Sequence, residues 1–225
     1  MVLATVSEMR KFKGDSLKIK AYREIKNMIL LRELVQGEKI FEKDLAETMQ
    51  VSRTPVREAL LILEQENLVE NQNRLGFIVR RLQADEVADY YSMREALEIY
   101  AVPLIIANIT ENEIEALENN VTKALVYLDS GDHRNLVLYD SHFHEMLYKA
   151  AHSKNFFRAI SSMDDIACLL RASASRKIAG MEEALSGHKA IVGCLRTRDA
   201  GGLKKILIDH LRGAAKRNEA FLELL

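Results

Sequence analysis

Two side chains that commonly bind divalent metal ions stand four residues apart in the middle of the chain. Asp140 and His144 belong to a segment in which apolar residues recur with a helical period. A helix would place both side chains on one face, where a carboxylate and an imidazole could bind a cation together. The segment therefore carries part of a possible metal site.

Two further histidines occupy apolar positions of later segments. His188 precedes Ile191 and Leu195, and His210 lies between Leu207 and Leu211. If these segments are helices with their histidines turned inward, three helices converge on one site. The alternative for each histidine alone is a buried imidazole satisfied by one hydrogen bond, and spacing does not decide between the two.

A second set of residues has the chemistry of nucleic-acid recognition. Arg53 and Arg57 are four residues apart, with Thr54 beside them, opposite an apolar stripe that includes Val56 and Leu60. An arginine that makes two hydrogen bonds to guanine discriminates against a wrong base by about 1–3 kcal/mol. Exposed arginines are common on amphipathic helices, so spacing alone leaves a merely solvated face as the alternative.

The elements around these arginines follow the order of a winged helix-turn-helix. Helical periodicity predicts helices over 16–34, 42–49 and 53–67, with Ser52 as the N-cap of the third. A polar loop at 71–76, flanked by alternating apolar residues, then predicts a β-hairpin. The hairpin is the expected wing.

Beyond Gln83 the apolar period stays helical. A capping box at Thr110 and Glu113, together with Gly131, Ser153 and Gly180, marks the expected boundaries. We predict helices over 83–107, 110–130, 133–152, 154–178, 181–197 and 200–224. The predicted fold is mainly α, with a winged helix-turn-helix domain over 10–80 and an all-helical domain over 85–222.

Composition suits a folded, helix-rich chain of two domains. Hydrophobic residues make up 48% of the 225 residues and charged residues 29%, with ten Gly and two Pro, which disfavours disorder and an all-β fold. The first residues lack an apolar run and no stretch has the length of a membrane span, so we expect a cytoplasmic protein. The two cysteines lack CxxC spacing and predict neither a disulfide nor a zinc pair.

The net charge of −1 is unevenly distributed. Residues 1–82 contain 15 Lys and Arg against 12 Asp and Glu, whereas the remainder contains 17 against 21. This mild excess of cations at the N-terminal end permits DNA binding without demonstrating it.

The sequence of the helix-turn-helix segment is specific. EKDLA at 42–46, followed by VSRTPVREAL at 51–60, resembles the signature of the GntR family of transcription regulators. The resemblance implies that Lys43, Arg53, Thr54 and Arg57 contact operator DNA, as do Arg74 and Gly76 in the wing. The chain departs from the family at Asn67, where glycine is usual, but asparagine also tolerates the left-handed conformation.

The C-terminal segments resemble the FCD ligand-binding domain of the FadR subfamily. The resemblance rests on DSHFH at 140–144, Asn155, HKAI at 188–191 and HL at 210–211. It implies a divalent metal ion, zinc or nickel in first place with manganese or iron as alternatives. The implied ligands are Asp140, His144, His188 and His210.

The same resemblance implies a small carboxylate effector beside the metal. Arg94, Asn155 and Arg171 are the candidate contacts. For Arg94 the alternative is a structural salt bridge with Glu98, four residues later. For Asn155 the alternative is a capping role in the helix that follows Ser153.

The function implied is a DNA-binding transcription regulator, most often a repressor, that acts as a homodimer on a palindromic operator. A metal-dependent hydrolase or lyase is the rival, but no HExxH-like motif pairs a metal with a general base. That rival also leaves the N-terminal domain unexplained, so we predict that the protein is not an enzyme. A nonspecific architectural DNA binder is the third hypothesis, which a strong operator preference at fixed salt would exclude.

Overall fold

The computed structural model describes residues 16–30, 33–72, 76–163, 166, 170 and 178–222. They form two compact units, which divide between Leu82 and Gln83. The first unit is a small α/β domain and the second is entirely helical, so the predicted fold class is confirmed.

The first unit contains three helices and a small sheet in the predicted order. The first helix ends earlier than predicted, because Glu33 and Leu34 form a bend. The third helix ends at Gln65 rather than at position 67, since Asn67 adopts a left-handed conformation with φ of 57°. The elements are α1 (Leu17–Leu30), β1 (Lys39–Ile40), α2 (Glu42–Thr48), α3 (Arg53–Gln65), β2 (Val69–Asn71) and β3 (Phe77–Val79).

The sheet has one strand more than the predicted hairpin. All pairs are antiparallel in the order β1-β3-β2, with Phe77 of the central strand opposite Ile40 on one side and Asn71 on the other. Strand β1 is only two residues long, too short to show an alternating pattern in the sequence. Its pairing with β3 depends on tertiary contact.

The core of the first unit lies between α1 and α3. Ile25 and Ile29 of α1 and Val56, Leu60 and Leu63 of α3 have no exposed surface. The stripe predicted for the third helix is therefore the buried one, and the opposite side of α3 faces solvent.

The second unit consists of α4 (Ala84–Asn108), α5 (Glu111–Ser130), α6 (His133–Lys149), α7 (Lys154–Ser161), α8 (Ile178–Arg196) and α9 (Ala200–Leu222). Helix α4 packs against α9, α5 packs against α6 and α8, and α8 packs against α9. Fully buried residues from five of these helices form the main core: Ala101, Ile114, Leu117, Phe143, Leu147, Ile191, Leu195 and Leu203.

Two predicted boundaries in this unit are wrong. The helix predicted over 154–178 ends at Ser161 and is followed by a turn, while most of 164–177 lies outside the described residues. Gly180 lies inside α8 instead of between two helices. Its backbone keeps a helical conformation there, because an isolated glycine lowers helix stability without forbidding the helix.

The other local signals are confirmed. Thr110 and Glu113 form the reciprocal capping box of α5. Gly131 ends that helix with φ of 69°, a left-handed conformation that glycine adopts without strain. The Ser153 side chain accepts a hydrogen bond from the backbone N–H of Phe156 and caps α7. Across the described residues, none of the helices has both the length and the apolar character that a membrane crossing requires.

Candidate metal centre and DNA interface

The N-terminal turn of α3 presents cations to solvent. Arg53, Thr54 and Arg57 are exposed, whereas Val56 and Leu60 on the other side of the helix are fully buried. The helix therefore separates a packing face from a polar face, as the sequence predicted. This geometry suits insertion of the turn into a major groove.

Two weak ion pairs lie beside this face. Arg57 Nη1 is 3.7 Å from Oε1 of Glu42, the first residue of α2, and Lys43 Nζ is 3.7 Å from Glu47 Oε1. Exposed pairs at such distances contribute about 0–1 kcal/mol, so phosphate groups can compete for both cations. Lys43 is exposed on α2, so it can contact phosphate as Arg57 can.

The wing is described in part. Gly76, at its return to β3, has φ of 88° and accepts a hydrogen bond from the backbone N–H of Gln72. A side chain at position 76 would be strained at this φ. Arg74, the other predicted wing contact, lies outside the described residues.

Three imidazoles from three helices meet inside the second unit. Each of His144 on α6, His188 on α8 and His210 on α9 offers a ring nitrogen within 4.8 Å of the other two. The Nε2 atoms of His144 and His188 are 3.3 Å apart. The convergence that the sequence left open is present, and this arrangement is compatible with binding one metal ion.

Asp140 adds a carboxylate to the cluster. Its Oδ1 lies 3.6 Å from Nε2 of His188, and the side chain is almost fully buried. Asp140 and His144 share the inner face of α6, as their four-residue spacing predicted. Three imidazoles and one carboxylate form a donor set typical of zinc and related divalent ions.

Phe143 orients one of these imidazoles. Its ring is stacked on that of His188, with centroids 3.9 Å apart and planes inclined by 12°. Phe143 itself has no exposed surface and belongs to the main core. The core therefore restrains the plane of the His188 ring.

His210 is held in the form that binds metals. Desolvation of its ring and the nearby His188 lower its pKa well below the ordinary value, although Asp140 acts in the opposite direction. Metal coordination requires the neutral imidazole, so the surroundings of His210 favour the competent state at neutral pH.

A buried polar network adjoins the cluster. Arg94 Nε donates to Glu98 Oε1 at 2.6 Å, which establishes the salt bridge considered as the alternative role for Arg94. The same guanidinium donates through Nη1 to Tyr90 and through Nη2 to His144 Nδ1, the latter at 3.0 Å. Arg94 therefore joins α4 to the imidazoles while it neutralises Glu98.

Tyr148 completes this network from α6. Its hydroxyl donates to Glu98 Oε1 at 2.6 Å and accepts from Arg94 Nε at 3.1 Å. Burial raises the pKa of Tyr148 well above its usual value; Arg94 lowers it and Glu98 raises it further. The phenol therefore stays protonated and acts as a donor to the carboxylate.

Sequence comparison identifies both units. Residues 17–79 match the model of bacterial regulatory proteins of the gntR family, and residues 89–213 match the FCD domain. The chain belongs to the GntR family. Its FCD domain is consistent with the FadR subfamily, as the sequence motifs indicated.

Relatives along most of the chain support this assignment to the GntR family. The chain is 27% identical to YdhC of Bacillus subtilis (strain 168), an uncharacterized HTH-type transcriptional regulator, over 90% of this chain and 91% of that one. It is 23% identical to the HTH-type transcriptional repressor RspR of Escherichia coli (strain K12), over 85% and 84%. The E. coli McbR/YncC structure has the same fold, with a TM-score of 0.77 at 22% identity over 93% of this chain and 98% of that one.

These relatives are transcriptional regulators rather than enzymes. The GntR-family chain is accordingly a transcriptional regulator with a DNA-binding helix-turn-helix domain. Some of its relatives are named as repressors.

Of the two remaining predicted effector contacts, the described residues include only Asn155. Asn155 is exposed on α7, where Ser153 rather than Asn155 provides the cap. Arg171 lies outside the described residues. His133, His142 and His152, which are not among the implied ligands, are exposed.

Sequence reasoning missed two residues of the polar network in this GntR-family protein. Tyr90 stands four residues before Arg94, and Tyr148 four residues after His144. The same four-residue spacing that singled out Asp140 and His144 would have placed both tyrosines on the inner faces of their helices. The signal was therefore present in the sequence.

Proposed function

We propose that this GntR-family regulator is a repressor whose operator binding is controlled by a small organic acid bound beside a divalent metal ion. The DNA-binding domain extends over 10–80 and the metal- and effector-binding domain, which can also dimerise, over 85–222. The observation that carries the proposal is the convergence of His144, His188 and His210, with Asp140 beside them, within an FCD domain.

Operator recognition is assigned to the polar face at the start of α3. Arg53, Thr54 and Arg57 contact the major groove, Lys43 contacts the backbone, and the wing residues Arg74 and Gly76 contact the DNA beside it. The exposure of the first four side chains supports this role. A homodimer would place two such faces on the halves of a palindrome, in the cytoplasm where its DNA target lies.

The metal ion would be held by Asp140, His144, His188 and His210. Their nitrogen and oxygen atoms suit zinc or nickel, and also accept manganese or iron. If coordination positions stayed open beside these four residues, a carboxylate could bind the ion directly. The lowered pKa of His210 supports the assignment, because it keeps that imidazole neutral.

Arg94 is the best-placed residue to contact the effector. A guanidinium only donates, so its bond to His144 Nδ1 makes that atom an acceptor and leaves the ring proton on Nε2. If His144 bound a metal ion through Nε2, its proton would lie on Nδ1, and Arg94 could not donate to that atom. The Nη2 group of Arg94 could then donate to an effector carboxylate. Asn155 and Arg171 remain further candidates.

The proposal is tested by measuring DNA affinity with and without metal and effector. Operator sequences are selected from random duplex DNA, and fluorescence anisotropy measures binding by zinc-loaded and chelator-treated protein at fixed salt. A panel of small mono- and dicarboxylates is then added. We expect at least one acid to weaken operator binding only when zinc is present.

Three outcomes would contradict the proposal. Equal affinity for all duplexes would favour an architectural DNA binder. Turnover of an acid by the zinc-loaded protein would favour the hydrolase or lyase. An effector response that survives removal of the metal would show that the effector does not need the metal beside the imidazole cluster. An effector acts only through its different affinities for two states, and the metal would then not contribute to that difference.

A further inference from the structure

Gly187 on α8 faces the ring of His210. A Cβ atom added at this position would lie 2.6 Å from His210 Nδ1, 3.5 Å from Cγ and 3.6 Å from Cε1. Real Cβ atoms essentially never approach heavy atoms of distant residues to less than 3.0 Å. The imidazole of His210 therefore occupies space that any other residue at position 187 would fill.

The backbone gives no other reason for glycine at position 187. The residue lies well inside α8, at neither end of the helix, and its φ is not positive. Glycine in a helix interior lowers stability relative to alanine, so its presence there is unfavourable for the helix itself. Close approach of another group is the remaining local reason for it.

A second glycine of the same helix behaves differently. A Cβ atom added at Gly193 would meet nothing within 4 Å. Of these two glycines, only Gly187 shows the close approach, and it stands next to the proposed ligand His188. Gly193 supplies a matched control, because both glycines belong to α8 and both would gain the same methyl group.

We propose that Gly187 is a positioning residue of the metal centre, which lets His210 lie across α8 beside His188. The inference rests on the proposed ligand set and adds a residue that touches no metal. The ring centroids of His210 and His188 are 5.0 Å apart, and those of His210 and His144 are 5.4 Å apart. A methyl group at position 187 would push the His210 ring out of this arrangement.

The substitution Gly187→Ala should therefore weaken metal binding while all four ligands remain. Residues that only orient metal ligands typically change affinity by about 10–100-fold, and we expect a loss in this range. Gly193→Ala should bind metal with unchanged affinity. Both changes replace a helical glycine by alanine, so a general effect on α8 would alter the two variants alike.

Zinc affinity, measured by competition with a chromophoric chelator, tests the inference on the full chain. The variants are Gly187→Ala, Gly193→Ala, His210→Ala and the double variant Gly187→Ala/His210→Ala. If Gly187 acts through His210, the double variant will bind zinc as His210→Ala does, because the added methyl group has no ring left to displace. Gly187→Ala alone will approach the affinity of His210→Ala.

The outcomes separate this inference from the proposed function. Wild-type affinity in His210→Ala would refute the ligand assignment and with it the role of Gly187. Loss in His210→Ala with full affinity in Gly187→Ala, or additive losses in the double variant, would overturn the role of Gly187 alone. If Gly187→Ala does not fold, the double variant must fold, since it removes the clash; its failure to fold would also overturn the inference.

Discussion

Arg94 and Glu98 lie one turn apart on α4 and form an ion pair with almost no exposed surface. Arg94 is 5% exposed and Glu98 1%, and the Nε to Oε1 distance is 2.6 Å. The pair also connects α4 to the imidazole cluster, because Arg94 donates a hydrogen bond to His144. The proposed effector contact would thus be built on a buried structural charge pair.

Removal of one partner should cost much of the stability of the second unit. Arg94→Ala leaves the Glu98 carboxylate buried and uncompensated, which typically costs about 3–5 kcal/mol. We expect this loss in the free energy of unfolding measured with urea. Tyr148→Phe, which removes one donor to the same carboxylate, should cost about 1–3 kcal/mol. An unchanged free energy of unfolding in Arg94→Ala would show that the ion pair does not stabilise the fold.

Loss of Arg57 should weaken operator binding without unfolding the protein. Arg57→Ala removes an exposed cation, and we expect a loss of about 1–3 kcal/mol in operator affinity, measured by anisotropy. If Arg57 contacts phosphate, the slope of log K against log salt should also fall by about one. Lys204→Ala is the charge-matched control, because Lys204 is exposed on α9 in the other unit. Equal binding by the two variants would remove Arg57 from the interface.

Replacement of two imidazoles should abolish metal binding. His188→Ala/His210→Ala leaves only Asp140 and His144. Two ligands on one helix cannot replace the four that the site offers. We expect zinc, measured by elemental analysis after dialysis, in wild-type protein and not in the double variant. His142→Ala is the control, since His142 is exposed on the same helix as His144. Full zinc content in the double variant would refute the assigned ligands.

The cap of α5 should make stability depend on acid pH. Partial burial opposes ionisation of Glu113, but hydrogen bonds from the backbone and hydroxyl of Thr110 and from His152 hold its pKa below the ordinary value of a glutamate. A carboxyl group whose pKa is lowered by folding stabilises the folded state at pH values above its unfolded-state pKa. This stabilisation is lost as the pH falls through its folded-state pKa.

Glu113→Gln should therefore destabilise the protein at neutral pH by roughly 0.3–1 kcal/mol. The difference from wild type should shrink as the pH is lowered below about 4.3, the ordinary pKa of a glutamate. Urea unfolding at a series of pH values measures it, and Thr110→Ser, which keeps the capping hydroxyl, serves as the control. A difference that does not change with pH would show that the charge of Glu113 is unimportant.

Asn67 should tolerate glycine better than alanine. Its φ of 57° lies in the left-handed region, which costs an ordinary residue roughly 1–2 kcal/mol. We expect Asn67→Ala to lower the free energy of unfolding by about 1 kcal/mol and Asn67→Gly to leave it unchanged or raise it. Denaturation by urea distinguishes the two variants, and equal stability would mean that the turn relaxes.

Much of the secondary structure could be predicted because its signals are local. Apolar periodicity placed the helices, and the capping box at Thr110 and Glu113 placed the start of α5. The prediction failed where local signals were ambiguous: Gly180 is a helix residue, and β1 is too short to show a period. Asp140 and His144 could be paired because residues four apart on a helix lie close together on one face.

Sequence alone thus determined which side chains share a helix face, since that depends only on the geometry of one helix. It did not determine that His188 and His210 meet His144, because residues 44 and 66 positions away come together only through the packing of α6, α8 and α9. The same packing decided that Arg94 holds both Glu98 and His144, and that Gly187 leaves room for an imidazole. Contacts between helices depend on how whole surfaces fit, which no spacing within one segment encodes.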